Sequence, residues 1–318
     1  SVPNYHPDEA PLDCLAEIMG QGKNSIIYKN LIKSQKAINA RVSNPCSELA
    51  GEFTISVVPY PGNKLGDVEK LVNETLAEFE QRGVTDEDIE KFRNSMEANL
   101  INSLENVSGK VSSLAAFHTF TGDANRIQKE VDRYTSVTKE DVMRVYRTYI
   151  RNKPAVVLSC VPEGKGELKA RDDNWQMYER TIETESAEYK GLSYSEPKDD
   201  FDRARMPVAG AAAPVPVPDF YRKTVNNVPL IGVAEKEIPL VNMLISFRAG
   251  HRYEPADKSG LAVLTAAMLG QSSKRTSAEE LENKLNRLGS SVNFYATDED
   301  FSVSVQTLKK NVNATLKI

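Results

Sequence analysis

The 318-residue chain predicts an α+β protein of two domains, each a mainly antiparallel sheet covered by helices. Three observations lead there. The length suffices for about two domains with cores of their own. Two regions of regular apolar periodicity flank a stretch that has none. Within each region, segments of helical period alternate with segments of strand period, the pattern of helices laid on one side of an antiparallel sheet.

In the first region, residues 11–20 read as a helix closed by Gly20 and residues 25–34 as another, followed by strands at 37–43 and 51–58. Residues 65–82 form a helix with Leu71, Leu76 and Phe79 facing inward, alternating charges outward, and Gly83 as its stop. Thr85 opens the next helix with Asp88 placed for a capping box, and Ile89, Phe92 and Met96 form its apolar stripe. The run Val137-Thr-Lys-Glu-Asp-Val142 starts a helix that continues to Tyr149, and residues 155–161 read as an apolar strand.

From Glu163 to Pro218 the periodicity disappears and charged residues dominate. The stretch ends in a Pro/Ala run at 209–218, expected to be extended and semi-rigid, with Trp175 and Tyr178 as side chains that pin part of the segment down. Beyond it come an apolar strand at 239–250, a polar turn at 252–259, helices at 260–270 and 277–288, and period-two strands at 289–297 and 301–308.

The helix at 260–270 carries the functional information. A zinc site built on one helical turn needs imidazoles at i and i+4 and a carboxylate at i+3 acting on the bound water, written H-x-x-E-H in the inverted zincins. Laid over this segment, those positions fall on Val263, Ala266 and Ala267, none of which offers a lone pair. Such a turn is expected to pack and not to catalyse.

The surroundings make that comparison meaningful. The strand, turn, helix, helix, hairpin order resembles the opening of a pitrilysin/insulinase-type domain, and Gly260, Ala262, Met268, Leu288, Gly289, Asn293, Ala296 and Thr297 match its pattern while the three chemical positions do not. Gly83-Val-Thr-Asp-Glu-Asp-Ile89 and Val137-Thr-Lys-Glu-Asp-Val142 resemble helix starts of that family's second domain. The family's single-chain enzymes have four homologous domains in two halves. The resemblance therefore implies an interior slice, with residues 1–163 as the second domain, 164–218 as the linker between halves, and 219–318 as the N-terminal part of a third domain with a degenerate zinc helix.

For function, the resemblance implies a parent zinc metalloendopeptidase in which zinc-bound water attacks a peptide carbonyl, a Glu acts as general base, and two half-shells enclose a peptide or small protein. The zinc belongs to the parent, with none expected on this chain and no catalytic residue within it. The family's substrate-binding Arg and Tyr, seven residues apart, fall here on Ile32 and Asn39, with Lys33 next door. Ile32 offers no donor, and Asn39 has neither the guanidinium charge nor the phenol of the pair the resemblance calls for. The chain would then supply chamber wall, hinge and an exposed strand edge for an extended peptide, its partners being the other domains of the same polypeptide. A rival reading is a non-catalytic scaffold or partner subunit like the family's processing-peptidase and respiratory-complex relatives, and a third is a peptide-binding module. Location rests on the resemblance alone, whose bacterial members are often in the cell envelope.

The other residues offer no competing chemistry. His6, His118 and His251 have no second imidazole at helical spacing; His118 suits a helix C-terminus and His251 a solvated turn. Cys14, Cys46 and Cys160 have no paired spacing, and Cys14 and Cys160 read as small core side chains. With 40 basic against 45 acidic residues, a net charge of −5, and neither a basic stripe nor a Gly-rich phosphate loop, nucleic acid and nucleotides are poor partners. No apolar run reaches membrane-spanning length.

Overall fold

The threonine-marked helix starts are the joints of the first half. In the computed structural model, which describes residues 1–176, 178–179, 190–196, 200, 202, 204–206, 208, 210–211, 214 and 217–318, α1 (Glu9–Gly20) leads through a π-helical turn (Tyr28–Lys33) into β1 (Ala37–Ser43). β1 pairs antiparallel with β2 (Thr54–Pro59), and the register shifts between Ala37 and Asn39. Then follow α2 (Leu65–Arg82), α3 (Asp86–Asn102), α4 (Val107–Thr121), α5 (Ile127–Thr135), α6 (Lys139–Val145) and a second π-helical turn (Tyr146–Ile150). Thr85 Oγ1 accepts from the Asp88 N–H at 3.2 Å while the Asp88 carboxylate accepts from the Thr85 N–H at 2.9 Å. Thr138 and Asp141 repeat the arrangement at α6. Each box satisfies N–H groups that a helix start leaves bare, and a cap of this kind contributes about 1 kcal/mol.

The stripes meet as their spacing predicts. Phe79, Ile89 and Phe92 are buried, and Leu71, Leu76 and Met96 pack against the same cluster. α1 adds Leu12, Leu15 and Met19 and lies on β1. The Phe79 and Tyr146 rings pack edge to face, 4.9 Å between centroids. A large apolar side chain contributes roughly 1.5–3 kcal/mol on full burial, whereas a two-stranded sheet alone is marginal. Helix packing, more than strand pairing, therefore holds this half together.

A charged network ties α5 to α1. Glu130, only 2% exposed, accepts from Arg126 at 2.6 Å and from Arg133 at 2.6 and 3.0 Å. Arg133 also reaches Glu9 of α1 at 2.8 Å. Both guanidinium groups lie over the Tyr5 ring, 5.2 and 5.7 Å from its centroid. Beside them, Tyr134 donates to one oxygen of Asp13 at 2.8 Å and Asn44 to the other at 3.0 Å.

Two expectations fail here. Residues 155–161 form no strand, because among the described residues no neighbouring strand offers them a ladder; Val156 is 98% exposed. Trp175 and Tyr178 pin nothing, standing exposed. In the Pro/Ala run expected to be extended, positions 209, 212, 213, 215 and 216 lie outside the described residues.

Ser1–Arg171 and Lys236–Ile318 form one compact unit, and Asp172–Glu235 a second. The second holds the antiparallel hairpin of β3 (Phe220–Val225) and β4 (Val228–Val233). Its two turn residues, Asn226 and Asn227, have φ of 48° and 64°, a conformation that asparagine tolerates and tight hairpin turns require.

In Lys236–Ile318, β5 (Leu240–Phe247), α7 (Leu261–Leu269), α8 (Ala278–Arg287), β6 (Ser291–Ala296), β7 (Phe301–Leu308) and α9 (Val312–Thr315) follow one another. The three strands form an antiparallel sheet in the order β5-β7-β6. This segment seats on residues 1–171 mainly through α8 against α3. Polar groups line the contact: Asn94 donates to the Arg287 carbonyl at 2.7 Å, Arg287 pairs with Glu90 at 2.7 Å, and Lys310 with Glu97 at 2.7 Å. Among the described residues no helix is long and apolar enough to cross a membrane.

Candidate functional site

The turn at 263–267 owes its place to the sheet beneath it. β7, the central strand, buries Phe301, Val305 and Leu308. α7 packs on β6 through Ala262 and Ala266, one helical turn apart and both buried. Two small side chains on one face allow a close approach of helix to sheet. The other faces of α7 leave Leu261, Val263, Leu264, Met268 and Leu269 exposed.

The loop before α7 is organised by backbone contact. Gly250 N–H donates to Glu299 O at 3.1 Å and His251 N–H to Thr297 O at 3.0 Å, so close that a Cβ at Gly250 would overlap the Thr297 carbonyl. The chain then turns and presents Glu254 to the start of α7. The Glu254 carboxylate accepts from Ala262 N–H at 2.6 Å and from Gly260 N–H at 2.9 Å, and His251 Nδ1 lies 3.1 Å from it. The backbone N–H of Ala262, then that of Gly260, hold this carboxyl below its ordinary range. His251 is thus no free turn residue, as its sequence position suggests, but the neighbour of a helix cap.

A depressed carboxyl stabilises the fold above its unfolded value of 4.5 and ceases to do so as pH falls through the lower folded value. Amide exchange in α7 should therefore accelerate below about pH 4.5. Glu254→Gln should bring the loss forward to neutral pH. Unchanged α7 protection in that variant would show that the cap is idle.

Of the three ligand-equivalent positions, Val263 is half exposed, Ala267 is exposed and Ala266 is buried against β6. Aliphatic side chains hold no cation, so these residues do not fit a zinc ion. Among the described residues there is no group of three His, Cys, Asp or Glu side chains arranged to hold one. The Arg/Tyr-equivalent positions are placed differently. Ile32 sits on the first π-helical turn, packed against the core, while Asn39 is exposed on β1 beside the register shift. Lys33, next to Ile32 in sequence, is engaged by Glu279 of α8.

The remaining nucleophiles are dispersed. His6 Nδ1 accepts from the Asp8 N–H at 3.0 Å, and His118 occupies the last turn of α4. Cys14 is a buried core residue whose thiol burial pushes well up, whereas Cys160, expected in the core, is exposed because the strand that would have carried it inward does not form.

Comparison with known proteins places both halves. Residues 1–96 match the family model described as the peptidase M16 inactive domain, and residues 233–318 that of insulinase, peptidase family M16. The zinc protease PqqE of Helicobacter pylori is 23% identical over 163 residues, 51% of this chain and 36% of that protein. The chain thus spans about a third of that relative's length. Among solved structures, a protease from Helicobacter pylori shares 23% identity over 46% of this chain and 36% of its own, with a TM-score of 0.41. The peptidase M16 inactive domain from Pseudomonas fluorescens shares 15% over 46% of this chain and 35% of its own, at 0.39. The periplasmic protease PqqL from Escherichia coli shares 12% over 98% of this chain and 35% of its own, at 0.37.

Proposed function

Because the chain belongs to the pitrilysin/insulinase family of peptidases, we propose that it is a non-catalytic interior part of a zinc-dependent metalloendopeptidase that encloses and hydrolyses peptides. The observation that carries this reading is α7. It lies on its sheet in the sequence context of the family's zinc helix, with Val263, Ala266 and Ala267 where ligands and base would stand. The helix keeps its architectural work and has lost its donors. Residues 1–163 are then the second domain, 164–218 the linker between halves, and 219–318 the start of the third. The exposed edge of β5 supports a role as chamber wall, since an extended peptide adds to a free strand edge by backbone hydrogen bonds. The zinc, the base and the Arg/Tyr pair come from elsewhere in the parent, and the family resemblance favours the cell envelope as its location.

Zinc analysis and a peptidase assay, run on this chain and on the full-length protein, test the reading. The full-length protein should hold stoichiometric zinc and cleave peptides in a chelator-sensitive manner, and the chain alone should do neither. Stoichiometric zinc on the chain would overturn it. A full-length protein that binds peptides without cleaving them would favour the scaffold or binding-module alternatives instead.

A further inference from the structure

α3 carries a row of polar residues on the side away from its apolar stripe. Glu87, Glu90, Asn94 and Glu97 follow at spacings of three, four and three, opposite Ile89, Phe92 and Met96. A row of this kind is ordinarily solvated. Here each member is engaged by residues 236–318. Asn283 donates to Glu87, Arg287 pairs with Glu90 at 2.7 Å, Asn94 donates to the Arg287 carbonyl at 2.7 Å, and Lys310 pairs with Glu97 at 2.7 Å. Past the end of α3, Glu105 accepts from Asn242 at 2.7 Å and Lys110 pairs with Glu237 at 2.6 Å. Between Gly22 and Lys33 the signs reverse: Lys33 is engaged by Glu279, and the Lys23 N–H donates to the Glu282 carboxylate at 3.0 Å. That last contact requires Gly22, since a Cβ there would run into the Glu282 carboxylate.

Charge, rather than apolar burial, joins the two parts. Among the described residues, the core cluster of the first half draws none from 236–318, and α8 has no buried residue. Gly289, which has no side chain, lies against α3, where a Cβ would fall 2.6 Å from the Asn94 carbonyl oxygen. The ion pairs meet water, with the Arg287 and Glu90 side chains each 48% exposed. An exposed pair contributes a factor of about five at most to an equilibrium, and salt screens it. We propose that α3 is an acidic docking rail for residues 236–318 whose occupancy is set by ionic strength. At low salt the basic and amide groups of 236–318 hold the rail; rising salt releases them as a unit, with both parts still folded. The consequence for the parent rests on the reading above, in which the two parts belong to different halves: vacating the rail would let the halves part there, and ionic strength would govern how readily a peptide enters.

Energy transfer across the contact in the whole chain tests this. Donor and acceptor dyes go on cysteines introduced at Asn73 of α2 and Thr265 of α7, both exposed, with Cys46 and Cys160 replaced by serine and Cys14 left buried. Between about 0.05 M and about 1 M sodium chloride the ratio of released to docked chains should rise about tenfold or more, while far-UV circular dichroism stays constant. At low salt, Glu97→Lys and Lys310→Glu should each raise that ratio about fivefold, and the two together should bring it back to within about twofold of the unsubstituted chain. Transfer indifferent to salt would overturn the proposal, and so would a double variant as open as either single one. The salt titration needs no substitution within the contact, so it decides the matter even if a reversed variant misfolds. Because the readout is a distance within this chain and not peptidase activity, the rail can fail while the peptidase reading stands, and the reverse.

Discussion

Glu130→Ala should cost the first half about 3 kcal/mol, because it leaves Arg126 and Arg133 partly stripped of water with their shared counter-ion gone. The carboxylate is 2% exposed and receives three charged hydrogen bonds. Arg133 would keep Glu9, but Arg126 would lose its ion-pair partner. Urea unfolding followed by far-UV circular dichroism should show a lower midpoint with an unchanged slope. Glu130→Gln, which retains the shape and one acceptor oxygen, should lose less. A loss under about 1 kcal/mol for Glu130→Ala would place the network with exposed ion pairs, which contribute little, and refute its assignment as the clamp between α1 and α5.

The second large effect is a gain. Val263→His combined with Ala267→His puts two imidazoles at i and i+4 on the exposed side of α7, the spacing at which both reach one ion. The doubly substituted chain should bind a divalent transition ion in a one-to-one ratio. At a free-ion concentration about one hundred times Kd, it should gain about 2.7 kcal/mol of stability. Calorimetric titration and thermal unfolding with and without the ion measure both quantities, and the unsubstituted chain should show neither. Adding Ala266→Glu should not produce a peptidase. Position 266 is buried against β6, so a carboxylate there would be desolvated and driven towards its neutral form. Failure of the double variant to bind any ion would mean that α7 does not keep the geometry of a metal helix. Hydrolysis by the triple variant would mean that this chain lacks only its donors.

Both outcomes depend on features of unequal visibility in the sequence. The helix starts at Thr85 and Thr138 and the stop at Gly83 were legible because caps are local, decided within four residues. The reading of Val263, Ala266 and Ala267 as ligand-equivalent positions is local in the same way, since a helical ligand set has fixed spacing. α5 has no legible sequence pattern because its apolar positions, Ile127, Val131 and Tyr134, are few among charges, and the charges form its packing surface. Arg133 meets Glu9 across 124 positions of sequence, and no periodicity reports a pair so distant. The misplaced strand at 155–161 has the opposite cause. Its pattern is a sound strand pattern, but a strand exists only through a neighbour, and composition says nothing about whether one is present. His251 and Glu254 looked like solvated turn residues because their partner is the backbone of a helix, which has no sequence signature.

The union of Ser1–Arg171 with Lys236–Ile318 in one compact unit separates two kinds of connectedness. Proteolytic cleavage anywhere in residues 172–235 would sever the covalent thread yet leave the two ends clasped by α3, α8 and the Gly22 loop. A nicked chain would migrate as one particle until salt or denaturant released the clasp, so an intact mass in solution is no proof of an intact backbone.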